Sequence, residues 1–169
     1  VSPRNMFNSS EVDERFRVRG SLPAVPAASV ADPTSFSFFI VADTHFDDVP
    51  LSVYRVLADL APEYDASFVF TLGDITQAGT TEQFDLLAED LSFLDTAGVT
   101  HYPVLGNHDI IAENFVPFSR IGPSIYDFLI GDTLFIILDT ASSTLGALQA
   151  DWYEDILQST SAGTILVFT

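Results

Sequence analysis

From residue 36 onward, short apolar runs alternate with amphipathic stretches. "FSFFIVA" (36–42), "ASFVFTL" (66–72) and "THYPVLG" (100–106) are strand-sized and apolar at successive positions, so each predicts a strand buried on both faces. Between them, "LSVYRVLADLAP" (51–62) places Leu51, Tyr54, Leu57, Ala58 and Ala61 at helical spacing. "TTEQFDLLAEDLSFLDTAG" (80–98) places Phe84, Leu87, Leu91 and Leu94 on one helical face, begins near a Thr cap and stops at Gly98. Strand, helix, strand, helix, strand predicts crossover connections and a mostly parallel sheet. The rhythm then changes. "SIYDFLIGDTLFIILDT" (124–140) is two apolar runs joined at Gly131-Asp132, a hairpin signal. "GALQADWYEDILQST" (146–160) predicts a further helix and "TILVFT" (164–169) a further buried strand.

Residues 1–34 differ in composition from the remainder, and the chain divides into an N-terminal arm or linker (1–34) and an α/β domain (35–169). The arm holds four of the six arginines, Arg4, Arg15, Arg17 and Arg19, and the prolines Pro3, Pro23, Pro26 and Pro33. "SLPAVPAASVADP" (21–33) predicts an extended segment, and the alternation in "RFRVRG" (15–20) predicts an edge strand.

With 169 residues, 47% of them apolar, the chain can bury a sizeable core, and no run approaches the length of a membrane-spanning helix. Its 24 acidic residues face six arginines and no lysine, for a formal charge of −18. Such a chain repels polyphosphate backbones, which argues against duplex nucleic acid as a partner. Phosphate remains accessible where metal cations stand between carboxylate and phosphate. Without cysteine there is neither a disulfide nor a thiolate metal site.

Sites in α/β sheets form just past the carboxyl ends of strands. The first predicted strand is followed by "DTHFDD", bringing Asp43 and His45; the second by "GDITQAG", bringing Asp74; the third by "GNHDI", bringing Asn107, His108 and Asp109. Carboxylate, amide and imidazole donors without sulfur suit Mn, Fe, Zn or Mg. Each motif alone also reads as turn chemistry, since Asp and Asn cap turns and helices. Asp47 and Asp48 read as a solvated acidic loop, and His101 as a hydrogen-bonded structural histidine. The conjunction of the three motifs, one βα unit apart, is what carries a functional reading.

That conjunction, "DTH" (43–45), "GD" (73–74) and "GNHD" (106–109), resembles the calcineurin-like metallophosphoesterase superfamily over residues 36 to 169. The resemblance implies a two-sheet β-sandwich with flanking helices around a dinuclear metal site. It implies that Asp43 and His45 bind the first metal, that Asp74 bridges both, and that Asn107 binds the second. It gives His108 the protonation of the leaving oxygen or the grip on phosphate, oriented by Asp109. The implied activity is hydrolysis of phosphate mono- or diesters by a metal-bound hydroxide. The alternative is a binding or scaffold protein that keeps the fold without the chemistry. The helix at 146–160 is similar to a segment of the branch that includes cyclic-nucleotide phosphodiesterases, although Gln77 stands where that branch commonly has Asp.

In the family the strand like "TILVFT" runs into a histidine and further histidines come after it. The expectation is therefore an amino-terminal portion of a longer phosphoesterase, incomplete at its C-terminal end, with two metal ions in the intact protein and one or none in this chain. Expected partners are a phosphorylated small molecule, a nucleotide or a phosphoprotein, with the C-terminal strand or the N-terminal arm as routes to a dimer. The chain opens on Val and shows no charged-then-apolar leader, so either a leader has been removed or the sequence was trimmed; location stays open, and a removed leader would point to export.

Overall fold

Phenylalanine-rich alternation builds the centre of the molecule. The computed structural model describes residues 9–47, 53–112 and 114–169; Asp48 of the acidic loop and Leu51 of the first predicted helix lie outside them. In β1 (Ser37–Ala42), β2 (Ala66–Leu72) and β3 (Thr100–Val104) successive side chains point to opposite sides, and both sides are apolar. These strands form one parallel sheet in the order β1-β2-β3. A second sheet contains β4 (Tyr126–Ile130), β5 (Thr133–Ile137) and β6 (Thr164–Phe168) in that order, β4 antiparallel and β6 parallel to β5. Gly131, with φ +56°, opens the two-residue connection between β4 and β5.

The sheets face each other. Phe68, Phe70, Tyr102 and Val104 of the first sheet pack on Tyr126, Ile130, Phe135 and Ile137 of the second. Tyr126 donates its hydroxyl to the Pro103 carbonyl at 2.8 Å and so ties the two layers across this core. The helices α2 (Val53–Tyr64) and α3 (Thr81–Ala97) cover the outer face of the first sheet, with Tyr54, Ala61, Phe84, Leu87 and Leu94 buried against Val69 and Leu105. Trp152, Tyr153 and Ile156 of α4 (Ala147–Ser159) cover Leu134, Ile136 and Leu138 on the outer face of the second. The result is the expected two-sheet sandwich, helices outside and two sheets inside.

Local chemistry fixes the ends of α3. The Thr80 hydroxyl accepts the Gln83 amide at 3.2 Å, and Gly98 closes the helix at φ +72°.

Three expectations are corrected. Residues 15–20 are not an edge strand: α1 (Ser9–Val18) is a helix continued by a 3₁₀ turn over Arg19–Ser21. Val12 and Phe16, four residues apart, share a helical face, Phe16 meeting Trp152 edge-on at 6.0 Å, while Val18 of the alternation is left 43% exposed. β1 and β6 are not buried on both faces, because each lies at the edge of its sheet among the described residues. Ile40 in β1 is 53% exposed, and Ile165 and Val167 in β6 are 37% and 39% exposed. No described helix is long and apolar enough to cross a membrane.

Candidate metal centre

Three loops meet at the carboxyl edge of the first sheet. The one after β1 leaves the sheet through two left-handed residues, Asp43 (φ +50°) and His45 (φ +45°). The one after β2 does so through Gly73 (φ +64°) and Asp74 (φ +44°). Non-glycine residues pay a steric penalty in this region, and such strain clusters where a site must be held in one geometry. Main-chain bonds zip the two loops together: His45 N–H to the Asp74 carbonyl at 2.9 Å, Phe46 N–H to Ile75 at 2.8 Å, and Gln77 N–H back to Phe46 at 2.8 Å.

The loop after β3 is fastened by Asp109. Its carboxylate is fully buried and accepts from the amides of Ile75 (3.2 Å), Thr76 (2.8 Å) and Gly106 (2.9 Å) and from the Thr76 hydroxyl (3.0 Å). Burial pushes its pKa above the usual carboxylate range, and the donated hydrogen bonds oppose that shift. Asp109 therefore clasps the second and third loops. The contact that orients His108 comes from elsewhere: His108 Nδ1 lies 2.7 Å from the Gln77 carbonyl. A carbonyl only accepts, so Nδ1 carries the proton and Nε2 is left for other chemistry.

The consequence is convergence. Asp43, His45 and Asp74 each offer a ligand atom within 4.8 Å of the other two. His45 Nε2 lies 4.0 Å from Asp43 Oδ1, while His45 Nδ1 is buried without a hydrogen-bond partner. Asp74 Oδ1 accepts the His108 amide at 2.9 Å, and the His45 and His108 rings meet edge-to-face at 4.7 Å. Asn107, next to His108, is exposed in helical conformation (φ −72°, ψ −31°). Two carboxylates and an imidazole, close but not saturated by one another, fit one divalent cation of the hard-to-borderline series.

Other residues read from the sequence fall outside this cluster. Asp47 is exposed and accepts from Gln83 Nε2 at 3.0 Å. His101 sits in β3 with Nε2 3.0 Å from the Thr71 hydroxyl, and burial pulls its pKa down to about 4. Sequence reasoning missed Thr76 and the Gln77 carbonyl. Thr76 is ordinary turn composition, and a main-chain acceptor leaves no mark in the sequence.

The family model for calcineurin-like phosphoesterases matches residues 36–159. No curated protein matches the chain. Among solved structures, the chain is similar to a dimetal phosphatase from Danio rerio, at 18% identity and a TM-score of 0.43, over 71% of this chain and 51% of that one. The chain thus spans about half the length of that protein.

Proposed function

The chain belongs to the calcineurin-like phosphoesterase family, and from that membership we propose that it acts in the metal-dependent hydrolysis of phosphate esters of a small molecule, a nucleotide or a phosphoprotein. The observation that carries the reading is the approach of Asp43, His45 and Asp74 donor atoms to within 4.8 Å of one another on strained backbone. In this reading those three residues hold one divalent cation, and Asp74 with Asn107 begins the site of a second. Bound there, divalent cations supply the positive charge that neutralises a phosphoryl group and the acidity that makes water a nucleophile at neutral pH. The chain's own groups do the rest. Asp74 fixes the third loop through the His108 amide, so the donors and His108 keep one spacing. His108, with Nδ1–H committed to the Gln77 carbonyl, presents Nε2 to the ester, and in its doubly protonated form it would give the Nε2 proton to the departing oxygen and become the neutral Nδ1–H imidazole.

The test pairs metal content with ester class. The purified chain is expected to bind Mn²⁺ at about one equivalent, and Asp74→Asn is expected to lose that binding while keeping its unfolding midpoint. Hydrolysis of p-nitrophenyl phosphate against bis-p-nitrophenyl phosphate then separates monoester from diester chemistry. Wild-type metal content in Asp74→Asn would overturn the assignment.

A further inference from the structure

The stretch "TTEQ" at the start of α3 has the spacing of a capping box, with Thr80 at the cap and Gln83 three residues on. In that device the glutamine side chain turns back to the amide of the cap residue. Gln83 reaches further. Its Oε1 accepts the Ala78 amide at 2.9 Å, two residues before the cap, and its Nε2 donates to Asp47 Oδ1 at 3.0 Å. Chemistry fixes which end is which, because a backbone N–H only donates and an ionised carboxylate only accepts. Gln83 is buried, so both ends of its amide need partners inside the protein. The partners belong to the first and second loops of the candidate metal centre.

Both partners sit beside the junction of those loops. Gln77 N–H donates to the Phe46 carbonyl at 2.8 Å, Asp47 follows Phe46, and Ala78 follows Gln77. Gln83 thus bridges the two residues that come directly after the bonded pair. Its Ala78 end bears on the third loop as well. The Ala78 N–H and the Gln77 carbonyl belong to one planar peptide unit. Gln83 holds that plane at its N–H, and His108 Nδ1 lies 2.7 Å from its oxygen. A plane gripped at its N–H resists the rotation that would turn its carbonyl from the imidazole. Hydrogen bonds in line also polarise one another, so the engaged N–H makes that carbonyl a stronger acceptor. The next carbonyl, that of Ala78, takes the Ala112 amide at 2.9 Å and ties the same segment to the third loop again.

We propose that Gln83 is a positioning residue for His108: by gripping the Gln77–Ala78 peptide, and the end of the first loop through Asp47, it aims the Gln77 carbonyl at Nδ1. The neutral ring is then kept in its Nδ1–H form, with Nε2 left for the ester. The proposal deepens the reading of His108 as the group that meets the ester, and rests on it.

The test uses the full metal-free chain with Gln83→Leu, Gln83→Glu and Thr80→Val. The His108 tautomer is read from its ring nitrogen chemical shifts at about pH 9, where a histidine imidazole is neutral. Amide hydrogen exchange is read at Gln77 and along α3. Wild type is expected to be the Nδ1–H form. Gln83→Leu cuts both ends of the bridge and is expected to give a mixture of tautomers. Its Gln77 amide is expected to exchange about fivefold faster, the equilibrium factor of one net hydrogen bond. Gln83→Glu keeps an oxygen for Ala78 and loses the donor to Asp47, so it is expected to hold the Nδ1–H form while Gln77 exchange still quickens. Thr80→Val removes the hydroxyl that accepts the Gln83 amide, and is expected to loosen the first turn of α3 and leave the tautomer alone. A wild-type tautomer in Gln83→Leu would make Gln83 a helix-start residue only and overturn the proposal. So would a Thr80→Val shift as large as that of Gln83→Leu, loss of the Nδ1–H form in a folded Gln83→Glu, or a wild-type ring protonated at Nε2. A wild-type chain that binds no Mn²⁺ would instead remove the metal-centre reading, leaving these metal-free measurements to decide what Gln83 does.

Discussion

A β-carbon at position 106 would fall on the main-chain nitrogen and carboxylate of Asp74. Glycine there lets the second and third loops touch, and nearby the Gly73 and Gly106 backbones also meet closely. Gly106→Ala is expected to displace Asp74, abolish Mn²⁺ binding and cost about 1–3 kcal/mol, the usual range for overpacking; calorimetric titration and urea melts read both effects. His101 gives a residue-scale pH dependence. Its folded pKa of about 4 lies below the free value of about 6.5, so stability is complete above about pH 6.5 and falls as pH drops toward 4. In that window the unfolded chain takes up a proton that the folded chain refuses. Burial raises the pKa of Asp90 and Asp109, which works in the opposite sense, so the readout is a difference. Wild type is expected to lose stability relative to His101→Gln between about pH 6.5 and pH 4.5, and parallel slopes in the two proteins would refute this. At this scale the sequence was informative where side-chain type is the function. Asp43, His45 and Asp74 show ligand-type side chains in the sequence and the structure brings them within 4.8 Å of one another, whereas the His108 contact is made by the main chain of Gln77. Asp109 was legible as a site residue, but the composition of "GNHD" does not say which neighbour its oxygens serve; backbone geometry assigns them to Ile75, Thr76 and Gly106.

Helix α1 shows how an element can be legible as a segment and illegible as a partner. Arg15 lies in a stretch whose alternation fits a strand, yet its guanidinium makes a buried two-pronged pair with Asp139, Nε to Oδ2 at 2.6 Å and Nη2 to Oδ1 at 3.0 Å. Ser124 adds its hydroxyl to the same carboxylate at 2.8 Å. Asp139 is 124 positions from Arg15 in sequence, and Ser142, whose hydroxyl accepts from the same guanidinium at 3.0 Å, is 127 positions away, beyond the reach of any local pattern. The next contact is a cap supplied in trans: Asp13 of α1 accepts the Leu148 amide at 2.9 Å, in the first turn of α4, where Gly146 offers no side chain of its own. By contrast, the two ends of α3 were readable because Thr80 and Gly98 act on their own helix. Two predictions separate these roles. Asp13→Ala is expected to cost about 1 kcal/mol, as for a lost cap. Arg15→Met leaves Asp139 buried without its cation and is expected to cost about 3–5 kcal/mol. Urea melts measure both, and an Arg15→Met loss no greater than that of Asp13→Ala would show that the pair is not held against a buried carboxylate.

The whole molecule carries a charge of −18 with no lysine to intersperse among its 24 acids. Mutual repulsion among surface carboxylates acts against the compact state, and it acts over distances that dissolved salt controls. The Debye length falls from about 10 Å at 0.1 M salt to about 3 Å at 1 M. Screening on that scale reaches exposed acids such as Asp43, Asp47 and Asp127 but not the sealed Arg15–Asp139 pair, where both side chains are withdrawn from water. Added chloride salt therefore removes repulsion while sparing the strongest attraction. The unfolding midpoint is expected to rise by several degrees between about 0.1 M and about 1 M KCl, with NaCl and KCl equivalent. Mn²⁺ should act differently. Binding at three converging donors saturates, so its effect should level off at low concentration and disappear in Asp74→Asn, whereas the KCl effect should survive that substitution. A midpoint that is flat or falling in KCl would mean that repulsion does not limit this fold. A Mn²⁺ effect that persists undiminished in Asp74→Asn would mean that the cation acts on the acidic surface at large and not at the junction of the three loops.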